Sequence, residues 1–235
     1  MKAIPFDRPV IAISGLAFEA RLAEGPGVQT VFGQDKALLM RQLETFANAG
    51  IRGIISFGTA GGLTPSFLPG TIVVASSVIS GDRRYQACPD WTRKLLKSLP
   101  SARHADLVGV PAPILTVSDK AALRDATGAG VVDMESHLVA EAADRFGIRF
   151  AVLRVVIDPA HRPIPAIALV GMRPDGKTDA AAVIKAVGKE PAQLKALLRL
   201  AQDARAARRS LLRSRKALGP FFGLLDAREL ALDMK

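Results

Sequence analysis

Short, largely apolar runs recur along the first two thirds of the chain, most of them closed by glycine or an acidic residue. They are Pro9–Ser14 (PVIAIS), Val28–Phe32, Gly53–Phe57 (GIISF), Thr71–Ala75, Val131–Val132, and Phe150–Ile157, which only Arg154 interrupts. Continuous runs of this length and β-branched content predict strands buried on both faces. Between them the apolar positions fall three and four apart, the spacing of one helix face. Leu39, Leu43, Phe46 and Ala47 predict a helix from an Asp35 N-cap to Ala49, stopped by Gly50. Leu16 to Arg21 opens a helix or turn, and Asp90 to Leu99 reads as a short amphipathic helix. Pro113–Val117 reads as a strand, and Ser118 as the cap of a helix through Ala126. Ser76–Tyr85, with Asp82, Arg83 and Arg84 together, reads as irregular. Leu138, Val139 and Ala142 place a helix over Ser136–Asp144, directly after Asp133, Met134 and Glu135.

Strands alternating with helices predict an α/β fold. We expect a central mixed, largely parallel twisted sheet flanked by helices, with a helical C-terminal extension. One domain spans 1–235, its core at about 9–160 and the extension at about 161–235. The strands end in Ser14-Gly15, Gly58–Gly62, Asp133–Glu135 and Asp158, so polar and glycine-rich ends should line one rim. Open α/β sheets bind ligands at that rim.

Gly58-Thr59-Ala60-Gly61-Gly62-Leu63 has two readings. A glycine-rich loop lets a ligand approach the backbone; equally, its glycines serve a tight turn with positive φ. It is neither a dinucleotide fingerprint nor a P-loop, because its spacing is GxxGG and no Gly-Lys-Ser/Thr follows. Asp133 and Glu135 likewise either meet a ligand or only cap the following helix.

Beyond Asp158-Pro159 the pattern changes. His161 and Arg162 are secondary candidates for an anion contact, and His137 reads as helix surface or interface. Short helices are expected over 164–172 and 179–187, and a long one from Pro191 to about Leu218. In the long helix Leu194, Leu197, Leu198, Ala201 and Leu212 are expected to face the body and the arginines to face out. Residues 199–216 carry seven basic residues against Asp203 alone, much of the net +10. An apolar run, ALGPFFGLL, follows at 217–225. Basic next to Phe-rich sequence suits the face of an anionic membrane; alternatively, Phe221 and Phe222 dock the tail onto the core or a partner subunit.

Hydrophobic residues at 49% of 235 exclude a disordered chain. One cysteine, Cys88, excludes an internal disulfide framework and fits a reducing cytoplasm. No stretch reaches the roughly 20 apolar residues of a membrane span, the N-terminus does not read as a signal peptide, and no residues have metal-ligand spacing. The charge alone would suit nucleic acid, but one Trp and one Tyr offer little for stacking bases, so no nucleic-acid partner is expected.

The set SGLAFEAR, SFGTAGGL, VVDMES and RVVID, in that order over residues 9–160, resembles the nucleoside phosphorylase superfamily, and within it the methylthioadenosine/S-adenosylhomocysteine nucleosidases. The region from DPAHRPIP through the Pro191 helix is similar to the hopanoid-associated phosphorylases. The resemblance implies cleavage of the N-glycosidic bond of an adenine nucleoside, with adenosylhopane as the substrate of the narrower match. It implies Glu19 as the carboxylate that activates water. Thr59, Ala60 and Gly61 would line the nucleophile and purine, Met134 would pack on the ribose, and Glu135 would bind its hydroxyls. Asp158 would give a proton to the purine. Two departures stand out: Ile157 replaces a hydroxyl-bearing residue before Asp158, and Asp133 replaces a Glu. Asp133 is kept as a substrate-binding candidate. Arg21 is a phosphate-binding candidate; if it points inward, phosphorolysis with inorganic phosphate replaces hydrolysis. No other cofactor and no metal is implied. A homo-oligomer is expected, in the cytoplasm or at the inner membrane face, with peripheral contact through the basic C-terminal region. The rival readings are a nucleosidase of soluble substrates whose tail only packs, and a nucleoside-binding protein without catalysis.

Overall fold

The computed structural model describes residues 8–33, 36–165 and 194–224. In chain order the elements are β1 (Val10–Ser14), α1 (Ala17–Ala23), β2 (Val28–Phe32), α2 (Lys36–Ala49), β3 (Gly53–Gly62), β4 (Ile72–Ser80), β5 (Arg83–Gln86) and α3 (Pro89–Ser98). Then follow β6 (Arg103–Gly109), α4 (Val117–Thr127), β7 (Val131–Asp133), α5 (Ser136–Phe146), β8 (Phe150–Asp158), α6 (Leu194–Leu218) and a 3-10 turn, Pro220–Gly223.

The eight strands form one mixed sheet in the order β2-β1-β3-β7-β6-β4-β5, with β8 pairing to both β3 and β4. β1 pairs parallel with β2 and β3, β3 with β8, and β6 with β4 and β7. The β3–β7, β4–β5 and β4–β8 pairs are antiparallel. Strands β3, β7, β6, β4 and β8 therefore close a ring. Both faces are covered, which is why the strands are continuously apolar. Successive residues alternate between two cores. Ile11, Ile13, Ile54 and Val152 pack with Leu39 and Leu43 of α2 and Val139 of α5. Val10, Ala12, Phe57 and Leu153 pack with Trp91 of α3 and Leu211 of α6.

Several expectations are corrected. The glycine-rich segment is no loop, because β3 runs through Gly62. Ser76–Tyr85 is a hairpin: β4 continues to Ser80, and Gly81, at φ +55°, turns the chain into β5. No strand forms at Pro113–Val117; the cap of α4 is Thr116, whose hydroxyl accepts from the Asp119 N–H, and not Ser118. The strand lies earlier, in β6, where Arg103, His104 and Asp106 disguise it. His137 is buried. Asp35, most of 164–172, and the helix starts at 179 and 191 lie outside the described residues.

The C-terminal helix packs differently from expectation. Its buried face is Ala207, Ser210, Leu211, Ser214, Arg215 and Leu218. Leu194, Leu198 and Leu212 are exposed, Leu198 at 57%. At about 100° per residue the leucine stripe lies roughly two fifths of a turn from the buried one, on the side that carries Arg205, Arg208 and Arg209. Phe221 and Phe222 do dock onto the body. Phe222 is fully buried, its ring 5.2 Å from that of Phe57, and its carbonyl accepts from Trp91 Nε1 at 2.9 Å. Arg215 donates to the Ala23 carbonyl at 2.8 Å, tying the tail to the end of α1. Among the described residues no helix is long and apolar enough to cross a membrane.

Candidate active site

A buried arginine organises the rim. Arg154 is 1% exposed in the middle of β8. A charge there must be paired, since an isolated ion away from water is very costly. Its Nη2 lies 2.6 Å from Asp133 Oδ2 and 3.3 Å from Glu135 Oε2, and donates to Ser56 Oγ at 2.6 Å. Nη1 donates to the Thr59 carbonyl at 3.3 Å.

Glu19 enters from α1. It is buried in the helix's first turn and accepts the Leu16 N–H at 3.1 Å. Its other oxygen accepts both the Thr59 N–H, at 2.8 Å, and the Thr59 hydroxyl, at 2.7 Å. Burial raises the pKa of Glu19, against the opposing pull of Arg154 and these hydrogen bonds. Glu135 is pushed up to about 8, first by burial and then by Asp133 and Glu19, while Arg154 pulls it down. Three carboxylates thus share one guanidinium.

The glycines make this packing feasible. A Cβ on Gly58 would lie 2.6 Å from both Arg154 Nη1 and Glu19 Oε2, and one on Gly15 would lie 2.3 Å from Glu135 Oε1. Gly58, Gly61 and Gly62 are not among the positive-φ glycines. They are present for close approach and not for a tight turn.

Asp158 ends β8. The parallel β3–β8 register pairs Gly58 with Arg154 and Ala60 with Val156, then slips by one residue so that Gly61 faces Asp158. The slip is a bulge at Ile157. Lys120 of α4, 1% exposed, reaches Asp158 Oδ2 at 2.5 Å and also donates to the carbonyls of Pro159 at 3.1 Å and Arg162 at 3.0 Å. Burial raises the pKa of Asp158 and Lys120 lowers it, with a net rise. Thr59, which holds Glu19, and Gly61, which faces Asp158, are two residues apart on β3, or about 7 Å.

The structure thus brings Glu19, Thr59, Gly61, Glu135 and Asp158 to one rim, Ala60 by its backbone alone since its methyl packs in the core, with Met134 half-buried at the turn between Asp133 and Glu135. Two candidates are placed otherwise. Asp133 turns inward: Oδ1 accepts the Ser136 N–H, and Oδ2 accepts the Ser136 hydroxyl and meets Arg154. It braces the helix start and the arginine. Arg21 is exposed, because two residues on from buried Glu19 is the opposite side of α1. Of the secondary candidates, His161 is exposed and Arg162 pairs with Asp203 at 2.8 Å. Sequence reasoning missed Arg154 and Lys120 as site residues. A lone charge inside a doubly buried strand was a usable signal for Arg154; Lys120 had none. Among the described residues no His, Cys, Asp and Glu cluster could hold a metal.

A doubly covered mixed sheet with a carboxylate–arginine rim defines the class, an α/β protein with a buried charged cluster at its strand ends. The chain belongs to the phosphorylase superfamily, whose family profile matches residues 7–189. Similar solved structures include the futalosine hydrolase of Helicobacter pylori, at 13% identity and a TM-score of 0.63, covering 89% of this chain and 97% of that one. The 5′-methylthioadenosine/S-adenosylhomocysteine nucleosidase of Helicobacter pylori, at 13% identity and a TM-score of 0.63, covers 90% of this chain and 96% of that one. The S-adenosylhomocysteine nucleosidase of Streptococcus pyogenes shares 15% identity at a TM-score of 0.60, covering 90% and 99%. No functionally curated protein matches the sequence.

Proposed function

We propose that this protein cleaves the N-glycosidic bond of an adenine nucleoside, with water as the nucleophile. The observation that carries the reading is the pair of carboxylates set along β3, Glu19 on Thr59 and Asp158 opposite Gly61. That separation fits a sugar at one end and its base at the other. The C–N bond breaks through an oxocarbenium-like state. Glu135, with Met134 beside it, holds the ribose. Glu19 takes a proton from the attacking water as the new C–O bond forms. The electron pair of the C–N bond leaves with the base, which takes its proton from Asp158. Burial raises the pKa of both groups, the direction that proton transfer by a carboxyl group needs. The structural neighbours named for nucleosidase and futalosine hydrolase activity support this class of substrate.

Water is preferred to phosphate on charge. The one guanidinium in the cluster already faces three carboxylates, and Arg21 points away. A phosphate dianion needs cationic partners, and none in the cluster is spare among the described residues.

For the substrate's 5′ end we favour a long apolar chain, as in adenosylhopane. The outer face of α6 mixes exposed Leu198 and Leu212 with exposed Arg205, Arg208, Arg209 and Arg213. An open groove of about 470 Å³ lies beside Pro69 and Gly70, lined by Arg209, Leu212 and Arg213. A basic face studded with leucine suits an anionic bilayer surface. The reading also has the chain working as a homo-oligomer, which sedimentation checks. The rival is a soluble methylthioadenosine-type nucleosidase, favoured by the burial of Phe221 and Phe222.

The test is chromatography for free adenine from adenosine, methylthioadenosine and an adenosine bearing a long apolar 5′ chain, each with and without phosphate. Release without phosphate supports hydrolysis, whereas ribose 1-phosphate would overturn the choice of water. Preference for the long-chain compound, with pelleting on anionic liposomes, supports the lipid-linked reading. Equal turnover of methylthioadenosine without pelleting favours the rival. No adenine from any compound overturns the reading.

A further inference from the structure

Lys120 is the least expected residue of the site. Lysine is almost never fully buried unless paired, yet this one is 1% exposed. It also stands in the first turn of α4, Val117–Thr127, where the helix dipole disfavours a cation. Its neighbour Asp119 fits that end of the helix; Lys120 does not. Local preference and burial both oppose this residue, and such violations concentrate at functional sites.

Its contacts give the reason. An ammonium has three donors and no acceptor. Lys120 Nζ reaches three acceptors: Asp158 Oδ2 at 2.5 Å, the Pro159 carbonyl at 3.1 Å and the Arg162 carbonyl at 3.0 Å. All its donors are engaged, so it acts on a ligand only through Asp158. The side chain of Ile157, just before Asp158, can offer it no hydrogen bond. Asp158 Oδ1 has no side-chain partner among the described residues and is the oxygen left for the base.

We propose that Lys120 is a positioning residue for the glycosidic reaction, a fixed cation that orients Asp158 and neutralises the charge left on it when it gives its proton to the departing base. This rests on the acid role given to Asp158 above. As the C–N bond breaks, its electron pair goes to the base. A ring nitrogen of the base takes the proton from Oδ1. Asp158 becomes a buried carboxylate, and Lys120 keeps all three of its protons. Without the ammonium that carboxylate would form in a dry, apolar place.

Among the described residues the charged surroundings of Asp158 are few. Lys120 comes from α4. Asp203 comes from α6, raises the pKa of Asp158, and is itself paired with Arg162 at 2.8 Å. β3 brings Gly61 opposite it, and a Cβ on Gly61 would meet both the Asp158 carboxylate and Val132 of β7, each at 3.1 Å. Lys120 is therefore the main group that makes Asp158 a stronger acid.

The test uses Lys120→Met and Lys120→Arg in the full chain. Asp158 is titrated by carbon-13 NMR of the ligand-free protein and assigned with Asp158→Asn; kcat and KM for adenine release are measured across pH. In Lys120→Met we expect Asp158 to titrate about 1–3 pH units higher, the effect of removing one adjacent opposite charge. We expect kcat to fall about 10²-fold, within the range of general acid catalysis, with KM little changed and the alkaline limb moved up. Lys120→Arg should bring the titration back toward wild type. An unshifted Asp158 titration in folded Lys120→Met overturns the proposal. If Lys120→Met is too unstable to study, the Lys120→Met/Asp158→Asn double variant decides: recovery of Tm toward wild type supports the pairing, and no recovery overturns it. If the wild type releases no adenine, the glycosidic reading fails alone, and the ligand-free titration still decides whether Lys120 governs Asp158.

Discussion

Thr59 gives both its backbone N–H and its hydroxyl to the same oxygen of Glu19, at 2.8 and 2.7 Å. The carboxylate is fixed in place by a residue on the sheet, so its position does not depend on α1 alone. Each such bond favours the charged form, in opposition to burial. Thr59→Val keeps the shape and removes one bond. A hydrogen bond to a charged group is worth about 1.5–3 kcal/mol, so kcat/KM should fall about 10- to 100-fold. Thr59→Ser should keep most of the activity. Equal loss in both variants would show that the hydroxyl is not what matters.

Glu135 sets a pH dependence of stability. Its pKa rises on folding from 4.5 to about 8. Between those values the folded chain holds a proton that the unfolded chain has lost. Stability from this group is therefore complete below about pH 4.5 and declines as pH rises through about 8. Glu135→Gln should flatten the fall in Tm between pH 5 and pH 9. An unchanged slope would place the titration elsewhere.

Arg154→Met leaves Asp133, Glu135 and Glu19 together without their cation. Breaking a buried ion pair from one side costs about 3–5 kcal/mol. The cost should shrink in acid, because Glu19 and Glu135 already have raised pKa values and take up protons there. The deficit in Tm relative to wild type should be clearly smaller at pH 5 than at pH 8. A deficit independent of pH would mean that Arg154 contributes through packing.

Asp158→Asn removes the proposed proton donor and leaves an acceptor for Lys120. Adenine release should slow about 10²- to 10⁴-fold. A nitrophenyl riboside, whose leaving group departs as an anion, should be much less affected. Equal loss on both substrates would remove the acid role from Asp158.

The apolar runs of β1, β3, β4 and β8 were plain in the sequence because a strand covered on both faces must be apolar at successive positions. β6 was hidden: Arg103, His104 and Asp106 lie at its exposed or half-buried end, where alternation alone decides. Arg154 was visible as the single charge in a buried strand, though its three carboxylate partners lie on α1, β7 and the turn before α5. The leucines of α6 misled, since Leu194, Leu198 and Leu212 share a face that this chain leaves to solvent. Helical spacing says which residues share a face, not which face meets the core.

By itself the sequence determined the α/β class and the strand ends that form the rim, with Thr59, Glu135 and Asp158 among them, whereas Glu19 was singled out only through the family resemblance. Those features follow from local patterning and from residue types that burial permits or forbids. Only the tertiary structure decided that Asp133 braces Arg154, that Arg21 faces away, and that Lys120 joins Asp158 from 38 residues before it in the chain. These depend on the bulge at Ile157, the angle of α1 and the approach of α4. Charge pairing across that distance is a property of packing, and no local pattern records it.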